Sequence, residues 1–182
     1  RWLIDHADLV IASSQSIVKH VESISGRKVN LLENGVDYQA FSKRGAALPN
    51  DLKYIKKPII MYVGNINRKV DISLINKISL KKKDWQWVLV GGVGSFDEAS
   101  YDILELLRSR GNVHFLGAKQ YKELPAYENH SDVNVMIYKE DDDLWSNSGY
   151  PLKLNEYLAV GKPIVSVGLP SVKQYEDLIE IA

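Results

Sequence analysis

Short apolar runs alternate along the chain with stretches in which apolar residues recur at helical spacing. Before the middle of the chain, runs at residues 8–12 and 29–32 predict two strands, and an apolar stripe between them predicts a helix that Gly26 can end. A turn signal at residues 33–35 follows, and residues 42–57 form a polar stretch with Gly and Pro. We therefore expect a linker or hinge there, and with it a domain boundary.

Beyond the hinge, the same alternation becomes regular. Continuous apolar runs predict strands at residues 59–63, 87–90, 113–115, 133–137 and 164–167. Helical periods predict helices from a cap at Asp71, from about Phe96, around Leu124 and Tyr127, over 152–160 and from about Ser171. Apolar strands separated by amphipathic helices are typical of a mostly parallel sheet with helices on both faces. The predicted fold class is therefore a doubly wound α/β domain.

Composition narrows the classes of function. The 182 residues carry 23 Lys or Arg and 23 Asp or Glu, so no strongly basic balance is present and no nucleic-acid partner is expected. The absence of Cys excludes disulfides and thiolate chemistry and fits a reducing compartment. The four His lack metal-site spacing, and no apolar run is long enough to cross a bilayer. We expect a soluble, cytoplasmic protein.

Ligands of a doubly wound sheet bind beyond the carboxyl ends of the strands, where the strand order reverses. The first predicted turn at that edge holds Gly64 and Asn65 and, before the next helix, Arg68 and Lys69. A glycine permits close backbone approach, and two cations beside the amides of a helix start suit an anion. The turn therefore predicts an anion site, with a solvated surface turn as the alternative.

The next turn, at residues 91–94, has the sequence Gly-Gly-Val-Gly and resembles half of a dinucleotide fingerprint. It follows the second strand of the series rather than the first, and Asp97 stands where the later Gly would be. The pattern therefore disfavours a nicotinamide site.

The stretch over residues 148–166 carries the most information. A turn containing glycine leads into a helix whose N-terminal amides face the predicted crevice. Glu156 lies about one turn into that helix, where a carboxylate can accept hydrogen bonds from both hydroxyls of a ribose. The alternative is that Lys153 and Glu156 form a surface pair at positions i and i+3. The residues of the turn and the helix start are Ser148, Gly149, Tyr150, Pro151 and Leu152.

Four motifs occur in one order along nearly the whole chain. They are ADLVIASS at residues 7–14, LLENGVD at 31–37 followed by Phe41, MYVG at 61–64 followed by Arg68 and Lys69, and EYLAVGKPIVS at 156–166. Together they resemble the C-terminal half of GT-B fold glycosyltransferases of the group 1 type, which use nucleotide-sugar donors. In that family the second motif is the hinge, the third is the phosphate loop and the fourth follows a pair of glutamates. The resemblance implies a Rossmann-like donor-binding domain.

Two departures from the family pattern matter. Family members commonly have Arg directly after the phosphate-loop Gly, where this chain has Asn65. The resemblance therefore implies that Arg68, Lys69 and Lys153 neutralise the diphosphate. The first glutamate of the pair would stand eight positions before Glu156, where this chain has Ser148. The sugar-hydroxyl contacts of that carboxylate are therefore in doubt, whereas Glu156 matches the second glutamate and keeps the implied ribose role.

The resemblance also implies a domain organisation. Residues 1–45 match the end of an N-terminal acceptor domain plus the hinge, and residues 46–182 match a nucleotide-sugar donor-binding domain that is truncated at its C-terminus. We therefore expect a piece of a longer protein, inactive when isolated. A sugar or lipid-linked acceptor would bind through the missing domain, and the full-length protein would associate peripherally with the inner face of the membrane.

The implied function is transfer of a sugar from a nucleotide-diphosphate sugar in bacterial polysaccharide or glycoconjugate biosynthesis. Arg68, Lys69, Lys153 and helix-start amides would stabilise the departing diphosphate, so neither a metal ion nor a cofactor is expected. The nucleobase is expected near Gly117 and Ala118.

Three alternatives stay open. The missing first glutamate and loop Arg are compatible with a non-catalytic sugar-nucleotide-binding module, and a GT-B fold sugar-nucleotide epimerase would convert donor without an acceptor. Residues 141–143 contain a D-x-D pattern with which another glycosyltransferase fold holds a divalent metal, although a charge run on a loop is more commonly a solvated segment. The base, the sugar, the acceptor and the stereochemical outcome are not specified by the sequence.

Overall fold

The computed structural model describes residues 1–139 and 150–182. Its first part is a small parallel βαβ unit, in which β1 (Ile11–Ala12) pairs with β2 (Asn30–Leu31) and α2 (Gln15–Ser25) connects them. A short helix, α1 (Trp2–His6), precedes this unit. Ala12, Val18 and Val29 form its own small core.

Within the described residues, the second part is a six-stranded parallel sheet with the strand order β5-β4-β3-β6-β7-β8. The strands are β3 (Ile59–Val63), β4 (Gln86–Val90), β5 (Val113–Gly117), β6 (Val133–Met136), β7 (Ile164–Ser166) and β8 (Glu180–Ile181). The helices are α3 (Tyr38–Phe41), α4 (Ile72–Lys81), α5 (Glu98–Arg108), α6 (Leu124–His130) and α7 (Leu152–Val160). The chain adds β4 and β5 on one side of β3 and then returns to add β6 on the other.

Both faces of this sheet are packed by helices, which confirms the predicted doubly wound architecture. Successive side chains of a strand point to opposite faces, so the buried strand β3 serves two cores. Ile59, Met61 and Val63 pack on the face covered by α6 and α7. Ile60 and Tyr62 pack on the face covered by α4 and α5.

Local signals set the helix ends where the sequence predicts them. The carboxylate of Asp71 accepts a hydrogen bond from the backbone N–H of Leu74 (2.9 Å) and begins α4. Asp97 does the same for Ser100 at the start of α5 (2.9 Å). Gly26 ends α2 in the left-handed conformation, with φ of 71°.

The prediction of a last helix from about Ser171 is wrong. The segment forms a 3-10 turn at Lys173–Tyr175 and then the edge strand β8, which pairs with β7. The outer edge of β7 has backbone groups that need partners, and pairing there satisfies them, as in the hydrogen bond from Ala182 N–H to Ser166 C=O (2.9 Å). Val172 and Ile179 are buried, and pairing with β7 overrides the helical spacing of the apolar residues.

Two short helical segments, one just before the predicted linker of residues 42–57 and one within it, are anchored to the second part of the chain. Phe41, the last residue of α3, is wholly buried, and its carbonyl accepts a hydrogen bond from the side chain of Asn129 (3.4 Å). Further on, a 3-10 turn at Asn50–Leu52 buries Leu52 in the core beneath α6 and α7. Beside it, Asp51 forms an ion pair with Lys119 (2.6 Å). This stretch is polar in composition, yet Leu52 and Asp51 attach it to the rest of the domain.

Candidate active site

The reversal of strand order between β3 and β6 places a crevice at the carboxyl edge of the sheet. The loop after β3 bends toward the end of β6, because Val70 pairs with Tyr138 in an isolated antiparallel bridge. On the same side, Lys139 N–H donates to Lys69 C=O (2.9 Å). Helix α7 begins at this edge, so the loop after β3, the end of β6 and the start of α7 meet there.

Glycines allow the strand ends to approach closely at this edge. Gly64 has φ of 137° and Gly91 has φ of 152°, and a Cβ atom on Gly91 would lie 1.9 Å from the carbonyl oxygen of Gly64. Gly91 N–H in turn donates to the carbonyl of Gly117 (2.9 Å). Close packing of three strand ends therefore accounts for the first glycine of the 91–94 turn without a dinucleotide.

Lys153, in the first turn of α7, reaches back over the end of β3. Its Cε and Nζ atoms each lie 3.0 Å from the position that a Cβ atom on Gly64 would occupy. The ammonium donates to the hydroxyl of Tyr62 (3.3 Å) and to that of Tyr138. Burial lowers the pKa of Lys153 to about 8, against the opposing effect of Glu156 and Glu128. The alternative of a surface pair is therefore not what the structure shows.

No carboxylate of the described residues forms an ion pair with this ammonium. Its positive charge is stabilised by hydroxyls and aromatic rings, which do not neutralise it. The start of α7 adds to the positive potential, because Pro151 is its N-cap and no side chain in the described part of the chain caps the first turn. Lysine and helix start together form a site that suits an anion.

Glu156 lies one turn further along α7 and is partly buried. Burial raises its pKa, while Lys153 and a hydrogen bond from Tyr121 lower it. Tyr121 belongs to the 3-10 turn at Tyr121–Glu123, which follows β5. The carboxylate therefore connects α7 with the loop after β5, where Gly117 and Ala118 are exposed.

The two cations of the loop after β3 are held through their backbones by different neighbouring segments. Arg68 is exposed, and its backbone N–H donates to Ser95 C=O on the loop after β4 (3.1 Å). The backbone carbonyl of Lys69 instead accepts a hydrogen bond from the segment after β6. The exposed Asn65 approaches Gly92 and Gly94 with its side chain.

The turn before α7 is described only from Tyr150 onward. Tyr150 donates a hydrogen bond to the side chain of Asn155 (2.7 Å), and its hydroxyl also meets that of Tyr175 (3.0 Å). Asn155 in turn donates to the carbonyl of Asn34 in the hinge (2.5 Å). The side chain of Asn155 therefore joins α7 both to Tyr150 and to Asn34. Leu152 is 61% exposed. The predicted site residues Ser148 and Gly149 and the aspartates 141–143 lie outside the described residues.

Sequence reasoning missed three polar side chains of this region. Tyr62 belongs to an apolar run that predicts a core strand, and Tyr138 directly follows another, so only the strand order shows that both lie beside Lys153. Glu128 on α6 is wholly buried, and among the residues that the structure describes neither of its carboxylate oxygens has a hydrogen-bond partner. Burial raises its pKa to about 9, and Glu156 adds to the effect. Its spacing from Leu124, on the inward face of α6, was the signal that could have found it.

Other features of the described residues do not compete with the crevice. An apolar groove of about 700 Å³ runs along the sheet beside α4. The acidic group on its lining, Asp71, already caps α4, so the groove does not suit a phosphate. In residues 1–139 and 150–182, no group of three His, Asp or Glu side chains converges to hold a metal. No helix there has the length and apolar character of a membrane span.

The fold is that of the C-terminal-type domain of GT-B glycosyltransferases. The chain belongs to the family of glycosyl transferases group 1, whose model matches residues 57–179. The family resemblance and the fold class predicted from the sequence are therefore confirmed.

The chain is similar to a relative and to solved structures of this class. A putative teichuronic acid biosynthesis glycosyltransferase, TuaH of Bacillus subtilis (strain 168), is 34% identical over 96% of the chain. The chain spans only 44% of the length of that relative. The structure of HepE from Anabaena, in complex with UDP and glucose, superposes with a TM-score of 0.69 at 17% identity, over 94% of this chain and 47% of that one. The structure of sucrose-phosphate synthase from Thermosynechococcus elongatus superposes with a TM-score of 0.73 at 20% identity. The match covers 99% of this chain and 46% of that one.

Proposed function

We propose that this chain binds the donor of a glycosyltransferase, a nucleotide-diphosphate sugar, in the crevice at the carboxyl edge of the sheet. The observation that carries the proposal is the ammonium of Lys153, which lies over Gly64 with no carboxylate partner among the described residues. A buried cation without a counter-ion is costly unless a ligand supplies the negative charge. The uncapped start of α7 beside it suits the same anion.

The donor is proposed to lie along the edge from α7 toward β5. Its diphosphate would contact Lys153 and the first amides of α7, with Arg68 and Lys69 adding positive charge from the loop after β3. Its ribose hydroxyls would donate to Glu156, which remains half-buried and close to both Lys153 and the loop after β5. Its nucleobase would then lie near the exposed Gly117 and Ala118 at the end of β5.

Sugar transfer requires the bond between the anomeric carbon and the diphosphate to break. The departing diphosphate gains negative charge in the transition state, and cations that meet it there lower the barrier. Arg68, Lys69 and Lys153 are the proposed cations, and transfer is proposed to need neither a metal nor a cofactor. The acceptor, a sugar or a lipid-linked sugar, would bind to an N-terminal domain of the full-length protein.

The proposed setting is bacterial polysaccharide or glycoconjugate biosynthesis in the cytoplasm. The name of the TuaH relative, a putative glycosyltransferase of teichuronic acid biosynthesis, supports this setting. Acceptors of such polymers are often membrane-bound, so peripheral association of the full-length protein with the inner face of the membrane is part of the proposal. The balanced charge of the chain gives no support for a nucleic-acid partner.

Replacing Arg68, Lys69 and Glu156 together by Ala is expected to weaken nucleoside-diphosphate binding by about a hundredfold, since each removes a charge or hydrogen-bond acceptor proposed to meet the ligand. Isothermal titration with UDP, GDP, ADP and TDP in the presence of EDTA measures the effect. A matched control replaces the exposed Lys19, Lys28 and Glu176 by Ala, which removes the same charges away from the crevice. Equal affinity of wild type, triple variant and control would contradict the proposed site.

The full-length protein separates transferase activity from the alternatives. Transfer of sugar to an acceptor supports the proposed reaction. Conversion of the donor without an acceptor would indicate an epimerase, and donor binding without either reaction would indicate a non-catalytic module.

A further inference from the structure

The ammonium of Lys153 is held between two tyrosines that come from different strands. Tyr62 is in β3, and Tyr138 follows β6. Nζ lies 4.5 Å from the ring centroid of Tyr62 and 4.8 Å from that of Tyr138. The two rings meet edge to face, with centroids 6.4 Å apart and an interplanar angle of 76°. We call this arrangement of Tyr62 and Tyr138 the tyrosine seat.

The tyrosine seat stabilises the charge of the ammonium without cancelling it. Both hydroxyl oxygens accept hydrogen bonds from Nζ. The ring of Tyr62 adds a cation–π attraction. These groups replace part of the water that burial removes from the ammonium. A carboxylate in the same place would form an ion pair and leave less attraction for an incoming anion.

The tyrosine seat is also coupled to the loop after β3. The hydroxyl of Tyr62 accepts from Lys153 and donates to the backbone carbonyl of Asn65 (3.2 Å). The side chain of Lys153 packs on Gly64, the residue immediately before Asn65. One hydroxyl therefore links the position of the ammonium to the backbone of the loop.

We propose that Tyr62 and Tyr138 are positioning residues, which hold the Lys153 ammonium over Gly64 so that it receives the diphosphate of the donor. This inference rests on the proposed function and goes beyond it, because neither tyrosine is among the residues proposed to touch the donor. The role requires the two hydroxyls to act through Lys153.

The test replaces each tyrosine by Phe, which keeps the ring and removes the hydroxyl. Chains labelled with ¹³C-lysine report the protonation of Lys153 through its ¹³Cε signal, assigned with Lys153→Arg. We expect the pKa of Lys153 to fall by about one unit in Tyr62→Phe and in Tyr138→Phe, because each loses an acceptor that favours the charged form. Binding of inorganic pyrophosphate, followed on the same signal, is expected to weaken about tenfold.

The control is Tyr101→Phe on α5, which packs against Phe96 and does not approach α7. It should leave both the pKa of Lys153 and pyrophosphate binding at their wild-type values. Glu128 and Glu156, the acids that face Lys153, are the same in all these variants. Circular dichroism and the melting temperature verify that each variant is folded.

The outcomes separate the tyrosine seat from the proposed function. A fall in both the pKa and the affinity supports the positioning role. An unchanged pKa in both Phe variants overturns it, as does a lowered pKa with unchanged pyrophosphate affinity. If wild type binds neither pyrophosphate nor any nucleoside diphosphate, the proposed function fails and the positioning role fails with it, whatever the pKa values show.

Discussion

Replacement of Gly91 by Ala is expected to lower the free energy of unfolding by about 3 kcal/mol, through overpacking together with an unfavourable backbone conformation. The new Cβ atom would lie 1.9 Å from the carbonyl oxygen and 2.7 Å from the carbonyl carbon of Gly64. These are backbone atoms, and no side-chain rotation can move them away. Because Gly64 N–H donates to Val90 C=O (2.8 Å), the ends of β3 and β4 must separate to make room.

The separation would also displace Gly64 from beneath Lys153, so nucleoside-diphosphate binding should weaken in the fraction of protein that remains folded. Urea denaturation followed by circular dichroism measures the stability, and isothermal titration measures the binding. Gly111→Ala is the matched control, because nothing lies within 4 Å of a Cβ atom there. A Gly91→Ala chain as stable as the Gly111→Ala chain would contradict the close approach of the two strand ends.

The sequence predicts the parts of the fold that local patterns determine. Strand β3 and helix α7 have the predicted bounds, since a continuous apolar run and a helical stripe that ends at Gly161 are unambiguous signals. Asp71 caps α4 as expected. Strand β8 was not predicted, because it exists only where the open edge of β7 lies beside it, and no local signal encodes that pairing.

The same division applies to the candidate site. Gly64, Lys153 and Glu156 were selected from turn and helix positions, and the structure brings the first two into contact. Tyr62 and Tyr138 are far apart in the chain, the first within an apolar run that predicts a core strand and the second directly after another such run. They meet at one ammonium because β3 and β6 are neighbours, which is a property of the strand order. Groups that act through tertiary pairing therefore stay hidden from sequence patterns.

The buried carboxyl group of Glu128 makes the free energy of unfolding depend on pH. It lies in the core under α7, with both carboxylate oxygens lacking hydrogen-bond partners among the described residues. Burial raises its pKa from 4.5 to about 9, with Glu156 adding to the effect and Lys153 opposing it. The folded chain therefore keeps a proton that the unfolded chain releases once the pH exceeds 4.5. Folding then becomes less favourable as the pH rises, and this loss is complete only above about pH 9.

We expect Glu128→Gln to stabilise the chain progressively between about pH 5 and about pH 8, because the amide has no proton to release. The difference in unfolding free energy between variant and wild type should grow by about 1.4 kcal/mol per pH unit, and by roughly 4 kcal/mol at most over this range. Lys153, with a pKa lowered to about 8, changes the slope in the opposite sense only at higher pH.

Urea denaturation at several pH values measures this difference, with the exposed Glu176→Gln as the control. Glu156, whose pKa is also raised, contributes to every chain and largely cancels in the comparison. Parallel stability curves for wild type and Glu128→Gln would show that Glu128 is ionised in the folded chain. An ionised Glu128 would neutralise the ammonium of Lys153 from the side of α6, and the diphosphate would then compete with a carboxylate for that cation. A slope that is steeper in wild type than in Glu128→Gln, by about 1.4 kcal/mol per pH unit, instead means that the acid is neutral and that the charge of Lys153 remains available to a ligand.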